Sequence, residues 1–389
     1  MSTTPKDHFI DEALRKRKDQ HRFRELTSYQ PKGTTEVLDD REELVNFSGN
    51  DYLGLSKHPK VINRAQDFTE QYGSGATASR LISGTYTIHN KLEQKIAHTF
   101  GWEAALVFNS GFQANSTIIS TLANRHSLIL ADKLSHNSLL NGSLSSRASF
   151  RRFAHNDTAD LESQLSRAVD KDYDRIIVIT ESLFSMDGDR SDLEAIAKLC
   201  KKYDAWLFVD DAHAVGVWGT NGLGLTHGVS GIDLVLGTCG KAFGAFGAFL
   251  LCSSKMRDYL INFCDGFIYT TALPPAVIGA VEAGLDLIPD LSERRNRLYT
   301  NIKRMKKGIR RAGFQVGNTE SQIIPIMVGG EEQTLELATA LEDAGFLATA
   351  IRPPTVPKGS ARIRITLSSA HTKEQIDQFL TTLDQLNNE

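Results

Sequence analysis

The chain has 389 residues, 41% of them hydrophobic and 23% charged, with a formal net charge of -3. This composition predicts a globular protein with one large domain and a smaller one, and it excludes the strongly basic surface of a nucleic-acid-binding protein. No apolar run approaches the roughly 20 residues of a membrane-spanning helix, and the N-terminus has no apolar core of signal-peptide length. We therefore expect no nucleic-acid or membrane partner.

The chain contains four cysteines, Cys200, Cys239, Cys252 and Cys264. None forms a CxxC pair, and none stands beside histidines at the spacing of metal ligands, so we expect no metal site. So few cysteines in so long a chain favour reduced thiols and a cytoplasmic location.

Residues 7–28 predict an amphipathic N-terminal helix with a basic run at 15–24, and LVNFSGNDYLGLSKHP (44–59) is rich in turn residues. From residue 104 onward, short apolar runs alternate with amphipathic helical segments. The runs are AALVF (104–108), SLILAD (127–132), RIIVITES (175–182), WLFVDDAH (206–213), DLVLGTCG (233–240) and GAFLLCSS (247–254). Apolar strands separated by helices predict a mainly parallel sheet covered on both faces, and the short gap before the last run predicts an antiparallel neighbour.

The remainder of the chain predicts a smaller α+β unit. Two long helical patterns come first, at roughly 276–289 and 291–312. The later elements are apolar runs at 323–329, 348–354 and 361–368 and helices at 332–344 and from 372. We therefore expect three parts: an N-terminal helix and arm (1–45), a large α/β domain (46–290) and a small C-terminal domain (291–389).

Polar residues collect at the carboxyl ends of the apolar runs, which is the edge where open α/β sheets bind ligands. Asp210 ends one buried run, where burial normally raises the pKa of an aspartate. A carboxylate kept ionised there needs a cationic partner, and a protonated pyridine nitrogen would serve. His213, three residues later, is within reach of a ring oxygen or of Asp210. The alternative is a helix cap beside a hydrogen-bonded histidine.

Lys241 lies in GTCGKAF (237–243), after a buried strand and among small residues. Partial burial would lower the pKa of this lysine and expose a neutral, nucleophilic amine. Thr238, three residues earlier, is a candidate phosphate ligand. A lone lysine among apolar residues is more often structural, but the presence of Asp210 at another strand end favours the functional interpretation.

The stretch VFNSGFQAN (107–115) predicts a strand, a turn and the start of a helix. The amides of Gly111 and Phe112 would then bind a phosphate with the help of the helix dipole. His136 is a candidate for stacking flat on an aromatic ring. Together with a Schiff base on Lys241 and a ring nitrogen at Asp210, these features predict pyridoxal 5'-phosphate (PLP) as the cofactor.

Ten motifs in order resemble the α-oxoamine synthases, fold-type I PLP enzymes that join an amino acid to an acyl thioester with loss of CO2. They are NDYLGL, ISGT, NSGFQAN, DKLSHNSL, ESLFSMDGD, VDDAHAVGVWG, GTCGKAFGAFG, YTTALPP, AIRPPTVPKG and ARIRITLSSAH. The resemblance extends over about residues 10–385. It implies an α/β fold with a large, mostly parallel, seven-stranded-type sheet domain that binds PLP, a small C-terminal α+β domain, and a homodimer with a shared active site.

Within the family, FSMDGD, DDAH and especially AIRPPTVP are most similar to the biotin-pathway member, which would join L-alanine to pimeloyl-CoA or to pimeloyl-acyl carrier protein. The sister activities remain open: glycine acetyltransferase, 5-aminolevulinate synthase and serine palmitoyltransferase. The acyl carrier also remains open. The segment GSGATA (73–78) matches the dinucleotide pattern GxGxxA, but it follows a helical stretch instead of a strand, which argues against a dehydrogenase.

The resemblance also implies roles for individual residues. The catalytic candidates are Lys241 as the Schiff-base lysine, Asp210 as the partner of the ring nitrogen and His136 as the stacking residue. The other cofactor candidates are Gly111, Phe112, Ser185, His213, Thr238 and, across a dimer interface, Thr271. The substrate candidates are Arg24, Asn50, His136, Thr355 and Arg364.

Two points about the substrate stay open. The guanidinium of Arg364 can bind a carboxylate with two hydrogen bonds, and Arg362, two residues earlier on the same predicted strand face, is its rival. The stretch YGSGATASRLISGT (72–85) departs from the glycine-rich, histidine-containing form expected near the substrate, notably at Thr77, Ala78 and Arg80. This departure bears on the acyl-chain assignment more than on the cofactor assignment.

Overall fold

The computed structural model describes residues 6–39 and 42–388. These residues form two compact units. The larger unit is Asn50–Leu298, and the smaller one combines Met1–Gly49 with Tyr299–Glu389. The N-terminal part, which we expected as a region of its own, is thus grouped with the C-terminal residues.

The strands are β1 (Gln30–Pro31), β2 (Glu36–Leu38), β3 (Glu43–Asn46), β4 (Ala104–Phe108), β5 (Ser127–Asp132), β6 (Ser149–Phe153), β7 (Arg175–Glu181), β8 (Trp206–Asp210), β9 (Leu234–Thr238), β10 (Ala248–Cys252), β11 (Ile323–Gly329), β12 (Phe346–Leu347), β13 (Thr349–Ile351) and β14 (Ala361–Thr366). The helices are α1 (His8–Asp19), α2 (Pro59–Tyr72), α3 (Thr87–Phe100), α4 (Gly111–Leu122), α5 (Asn137–Ser145), α6 (Thr158–Val169), α7 (Leu193–Lys202), α8 (Ser254–Phe263), α9 (Asp265–Ile268), α10 (Pro275–Leu287), α11 (Ser292–Arg311), α12 (Glu331–Asp343) and α13 (Lys373–Asn388). Short 3-10 turns span Thr220–Gly222 and Ile288–Asp290, and one π-helical turn spans Arg80–Gly84.

The larger unit is built on a seven-stranded sheet with the strand order β4-β10-β9-β8-β7-β5-β6. The run from β6 to β9 is parallel, and β10 is antiparallel to both of its neighbours. The predicted mainly parallel sheet and its antiparallel strand are therefore confirmed. Strand β6 was not predicted, because this edge strand reads SFRRF and leaves most of its side chains partly or fully exposed.

The core of this sheet is apolar and closely packed. Leu106, Ile129 and Phe208 on the strands are at most 1% exposed and share one cluster with Ile118 on α4 and Leu260 on α8. Because this core fixes the central strands of the sheet, the residues that follow those strands are placed with little freedom. The polar residues at the carboxyl ends of β5, β7, β8 and β9 are therefore presented at one edge of the sheet.

The smaller unit contains two sheets. One has the order β1-β2-β3-β12, in which β12 lies parallel to β3, and the other has the antiparallel order β11-β14-β13. The β3–β12 contact joins the N-terminal and C-terminal parts, since Phe47 N–H donates to the carbonyl of Leu347 at 2.9 Å. Phe47 also stacks on His371 at 4.4 Å between ring centroids, and burial lowers the pKa of His371 to about 4.

The predicted N-terminal helix over 7–28 was too long. Helix α1 ends at Asp19, and His21 has a left-handed φ of 53°, which a continuing helix cannot adopt. The basic residues Lys16, Arg17 and Lys18 occupy the last turn, where they complement the helix dipole. The helices predicted near 276–289, 291–312, 332–344 and from 372 are confirmed within two residues at each predicted boundary.

The four cysteines are free thiols and fully buried. Burial raises the pKa of Cys200 and of Cys252 to about 12, so both thiols are protonated and unreactive at neutral pH. Over the part of the chain that the structure describes, no helix is long and apolar enough to cross a membrane.

The segment 72–85 is anchored by a buried ion pair. Arg80 donates from Nη1 and Nη2 to the two carboxylate oxygens of Glu93 at 2.8 and 3.0 Å. Oε1 of Glu93 also accepts from the backbone N–H of Val107 on β4 at 3.0 Å. Both charged side chains are nearly enclosed, at 8% and 11% exposure. Arg80 is one of the residues at which this segment departs from the family pattern. Through Glu93, its side chain holds the segment against the sheet.

We predict that Glu93→Ala lowers the free energy of unfolding by about 3 kcal/mol, because it leaves the Arg80 guanidinium buried without its counter-charge. Urea denaturation followed by circular dichroism measures the change. Glu194→Ala is the control, since its pair with Lys198 is long, at 4.0 Å, and both side chains are largely exposed. The control substitution should change the free energy of unfolding by less than about 0.5 kcal/mol. Equal changes in the two variants would contradict the prediction.

Candidate active site

The carboxyl ends of β5, β7, β8 and β9 and the start of α4 surround a cavity of about 140 Å³ in the larger unit. The cavity is lined by Gly111, Phe112, Asn115, His136, Ser138, Glu181, Asp210, Ala212, His213, Leu236, Thr238 and Lys241. The structure thus brings together most of the cofactor residues predicted from the sequence. The placement follows from the strand order, because these strands are neighbours and end at the same edge.

The start of α4 forms one wall of the cavity. Ser110 caps this helix, and its Oγ accepts from the N–H of Gln113 at 3.1 Å. The N–H groups of the first helical residues, Gly111 and Phe112, have no partner within the helix. Two backbone donors at the positive end of a helix dipole suit an anion such as a phosphate.

Asp210 ends β8 and is only 7% exposed. Its Oδ2 accepts from Nδ2 of Asn115 at 2.7 Å, and its Oδ1 accepts from the N–H of Ala212 at 3.0 Å. These donors hold the carboxylate in place at the cavity wall. The sequence analysis did not single out Asn115, although it lies one helical turn after Gly111 and so shares its helix face.

His136 precedes α5 and is placed by hydrogen bonds at both its backbone and its ring. Its N–H donates to Oε1 of Glu181 at 2.6 Å, and its Nδ1 lies 2.8 Å from Oγ of Ser138. Burial lowers the pKa of His136, and Lys241 adds to this while the charge of Asp210 opposes it. The imidazole is therefore neutral at neutral pH.

Glu181, the last residue of β7, also lines the cavity and was missed by the sequence analysis. Burial raises its pKa well above the usual range, and the nearby charge of Asp210 raises it further. Both effects favour the protonated carboxyl group, because protonation avoids two adjacent buried negative charges. The sequence offers one signal for this residue: Glu181 is the first charged side chain after the apolar core of RIIVITES.

Asp211, next to Asp210, serves a different purpose. It is fully buried and bonds to the hydroxyl of Ser182, to the hydroxyl of Thr226 at 2.7 Å and to the N–H of Leu225 at 3.3 Å. Burial raises the pKa of Asp211 to about 6, against the lowering effect of these hydrogen bonds. The carboxylate therefore ties the loop at 225–226 to the strand ends and does not line the cavity.

His213 is held by a tyrosine that the sequence analysis missed. The hydroxyl of Tyr52 donates to Oδ1 of Asn50 at 3.0 Å and lies 2.7 Å from Nδ1 of His213. Because a hydroxyl has one proton, Nδ1 of His213 is the donor in the second contact. Asn50, a predicted substrate residue, is thereby linked to the cavity. The signal for Tyr52 was its place inside the motif NDYLGL.

The cofactor roles of Thr238, Ser185 and Thr271 stay predictions. The hydroxyl of Thr238 donates to the carbonyl of Gly247 at 3.2 Å. Ser185 is buried in the turn that follows β7, outside the residues that line the cavity. Thr271 is exposed and pairs with Ser79 through an isolated backbone bridge.

The remaining substrate candidates belong to the smaller unit. Nη2 of Arg24 donates to Oγ1 of Thr355 at 3.1 Å, so two of them are in direct contact. Arg352, within AIRPPTVP, is a second cation near Arg24 and was not predicted as a substrate residue. Burial lowers the pKa of Arg352, and the charge of Arg24 lowers it further. Arg364 and its rival Arg362 are both buried on β14, at 9% and 3% exposure.

The groups at the cavity fit PLP. A carboxylate (Asp210) suits its ring nitrogen, a primary amine (Lys241) suits its aldehyde, a neutral imidazole (His136) suits its ring face, and the start of α4 suits its phosphate. The 42–383 region of the chain matches the model of the aminotransferase class I and II family.

The chain belongs to this family. It is 43% identical over 385 residues to the 8-amino-7-oxononanoate synthase of Gluconacetobacter diazotrophicus, covering 97% of this chain and 96% of that one. It also resembles a structure of serine palmitoyltransferase from S. paucimobilis with a bound PLP–myriocin aldimine, with a TM-score of 0.91, 28% identity, and coverage of 100% of this chain and 99% of that one. For the 8-amino-7-oxononanoate synthase structure from Francisella tularensis, the TM-score is 0.75 at 29% identity, covering 90% of this chain and 98% of that one.

These findings identify an α-oxoamine-synthase-type member of the aminotransferase class I and II family, with the fold-type I architecture. It is an enzyme that uses PLP to transfer acyl groups. The resemblance stated from the sequence motifs is thereby confirmed, and so are the predicted cofactor and fold class.

We predict that Asp211 makes the folded chain less stable as the pH rises from about 4 to 6. Because burial raises the pKa of Asp211 from 3.8 to about 6, the folded chain keeps a proton in this window that the unfolded chain releases. The free energy of unfolding should therefore fall by about 3 kcal/mol over this pH window because of Asp211. Urea unfolding of the wild type and of Asp211→Asn at several pH values measures the difference, and parallel pH profiles would contradict the prediction.

Proposed function

We propose that this enzyme is an 8-amino-7-oxononanoate synthase, which joins L-alanine to the pimeloyl group of a thioester with loss of CO2. The observation that carries the proposal is the meeting of Lys241, Asp210 and His136 at one cavity, in a chain 43% identical over 385 residues to a relative of that name. The motif AIRPPTVP supports the same choice among the sister activities.

When bound, PLP supplies an electron sink for negative charge on the amino-acid carbon that is to be acylated. Asp210 would hold the proton on the ring nitrogen, which would maintain the electron-withdrawing effect of the ring. Nζ of Lys241 would hold the aldehyde in the resting enzyme, and as a free amine it would take the α-proton of alanine. The carbon then attacks the thioester carbonyl, the thiol departs, CO2 is lost, and a proton returned to the carbon completes the amino ketone.

His136 has the tautomer needed to assist at the thioester carbonyl. Nδ2 of Asn115 donates to Oγ of Ser138 at 2.9 Å, which leaves the Ser138 hydroxyl proton for Nδ1 of His136. The N–H of Ser138 also donates to Nδ1, at 3.3 Å. The ring proton therefore resides on Nε2, from which His136 donates a hydrogen bond to the developing oxyanion.

We also infer that the enzyme works as a homodimer with a shared active site, in which Thr271 reaches the cofactor phosphate of the partner. Ile82 and Tyr269 are large apolar side chains, each 81% exposed, and their segments are joined by the bridge between Ser79 and Thr271. Exposed apolar side chains grouped in this way mark a surface that associates with another protein.

We predict that Ile82→Glu shifts the enzyme toward the monomer, because it places a charge in the proposed dimer surface. Light scattering measures the molecular mass of the enzyme in solution. Titration with PLP measures whether the affinity for the cofactor falls as the dimer dissociates. Ile62→Glu is the matched control, since Ile62 is also an exposed isoleucine, at 41%, but lies on α2. A wild-type mass of one chain would contradict the dimer.

For the substrates, we predict a single condensation product in a mass-spectrometric screen of the PLP-loaded enzyme. Alanine, glycine and serine are each paired with pimeloyl, acetyl, succinyl and palmitoyl thioesters. The expected product is the amino ketone from alanine and the pimeloyl thioester. Comparing kcat/KM for pimeloyl-CoA and for pimeloyl-acyl carrier protein then identifies the carrier.

The controls of this screen separate the chemistry from the choice of substrate. Asp210→Asn should lower kcat by roughly 100-fold or more, since it removes the charge opposite the ring nitrogen. Asp258→Asn, at an exposed aspartate paired with its neighbour Arg257, should retain full activity. Product from glycine or serine alone would overturn the alanine and pimeloyl assignment while leaving the cofactor chemistry intact.

A further inference from the structure

His155 lies outside the cavity, two residues after the end of β6, and both of its ring nitrogens meet a carboxylate. Nδ1 lies 2.8 Å from Oδ1 of Asp132, and Nε2 lies 2.8 Å from Oδ2 of Asp189. Ionised carboxylates only accept hydrogen bonds, so the imidazole satisfies both partners only when each nitrogen carries a proton. The side chain is therefore an imidazolium cation between two anions.

The surroundings of His155 favour this charged form. Burial acts to lower its pKa, but the hydrogen bonds and charges of Asp132 and Asp189 outweigh burial and raise the pKa to about 10. The ring also packs edge-on against Phe184, with 4.5 Å between centroids and an interplanar angle of 88°. The cation is thus retained at neutral pH and its orientation is fixed.

The next residue makes a parallel set of contacts. The backbone N–H of Asn156 donates to Oδ2 of Asp132 at 2.9 Å, and its side-chain Nδ2 donates to Oδ2 of Asp189 at 3.0 Å. Asn156 has a left-handed φ of 54°, a conformation that asparagine tolerates better than most residues. Two successive residues therefore bind the same two carboxylates.

Asp132 and Asp189 belong to the two turns that carry predicted cofactor residues. Asp132 ends β5 and opens the turn to His136, where its Oδ1 accepts from the N–H of Leu134 at 2.8 Å. Asp189 closes the turn that contains Ser185, and its carbonyl accepts from the N–H at position 184 at 3.0 Å. The imidazolium thus connects these turns through a pair of short ionic hydrogen bonds.

We propose that His155 is a positioning residue of this enzyme: through Asp132 and Asp189 it sets the distance between the turn that presents His136 and the turn that presents Ser185. The inference rests on the proposed cofactor roles of His136 and Ser185. Without the cation, two carboxylates would face each other across a largely buried gap, and their repulsion would move the turns apart.

The test compares His155→Gln and Asp189→Asn with His126→Gln, a control at the exposed histidine that precedes the opposite end of β5. Each protein is stripped of cofactor and titrated with PLP by intrinsic fluorescence. The circular dichroism of bound PLP reports the orientation of its ring, and the thermal midpoint of the PLP-free protein reports stability alone. Steady-state kinetics gives kcat and KM separately.

We expect His155→Gln to weaken PLP binding and to lower kcat by about tenfold each, with a changed PLP dichroism band, because the groups that orient the cofactor are displaced. Asp189→Asn should shift the same readouts less, and His126→Gln should match the wild type. A lower thermal midpoint with unchanged PLP affinity and dichroism would overturn the proposal.

If His155→Gln does not fold, Asp189→Asn decides the question by the same readouts. The PLP titration and the dichroism band do not depend on which acyl substrate the enzyme uses. A failure of the alanine and pimeloyl assignment would therefore leave this test intact, whereas wild-type behaviour of both variants would remove the positioning role.

Discussion

The larger unit has to accommodate the carboxylate of Asp210 at the end of a buried strand. A charge that is 7% exposed is costly unless hydrogen-bond donors or a counter-charge replace the water it has lost. Asn115 and the N–H of Ala212 supply the donors, and the ring nitrogen of PLP is the proposed counter-charge. The turn into α4 brings Asn115, on the first turns of that helix, to this carboxylate.

Three more buried carboxyl groups lie near Asp210 at the same edge of the sheet. The cost of burying each of them is offset in a different way. Asp132 is paired with the His155 cation, burial raises the pKa of Glu181, and Asp211 is surrounded by hydroxyl and backbone donors. Four buried carboxyl groups so close together would otherwise repel one another strongly. The loops beyond the strands supply backbone donors to three of these carboxyl groups, from Leu134, His136 and Thr226.

The sequence predicted the residues at strand ends well, since a buried strand ends where polar residues begin and parallel neighbours end at one edge. Lys241, Asp210 and His136 were found in this way. Asn115 and Tyr52 stood inside quoted motifs, but the sequence did not show which way a helix or a turn would orient their side chains. Likewise, nothing in the sequence showed that the charge of Arg80 would be matched by Glu93 on the next helix.

The pairing of β3 with β12 has a consequence for how the chain folds during synthesis. Residues 50–298 form one uninterrupted stretch and can fold as soon as they leave the ribosome, because their sheet contacts lie within that stretch. The strand Glu43–Asn46 is made earlier but must wait for Phe346–Leu347. A strand that is made before the larger unit therefore belongs to a sheet that is completed after it, and a nascent chain that stops short leaves an unpaired strand edge open to aggregation.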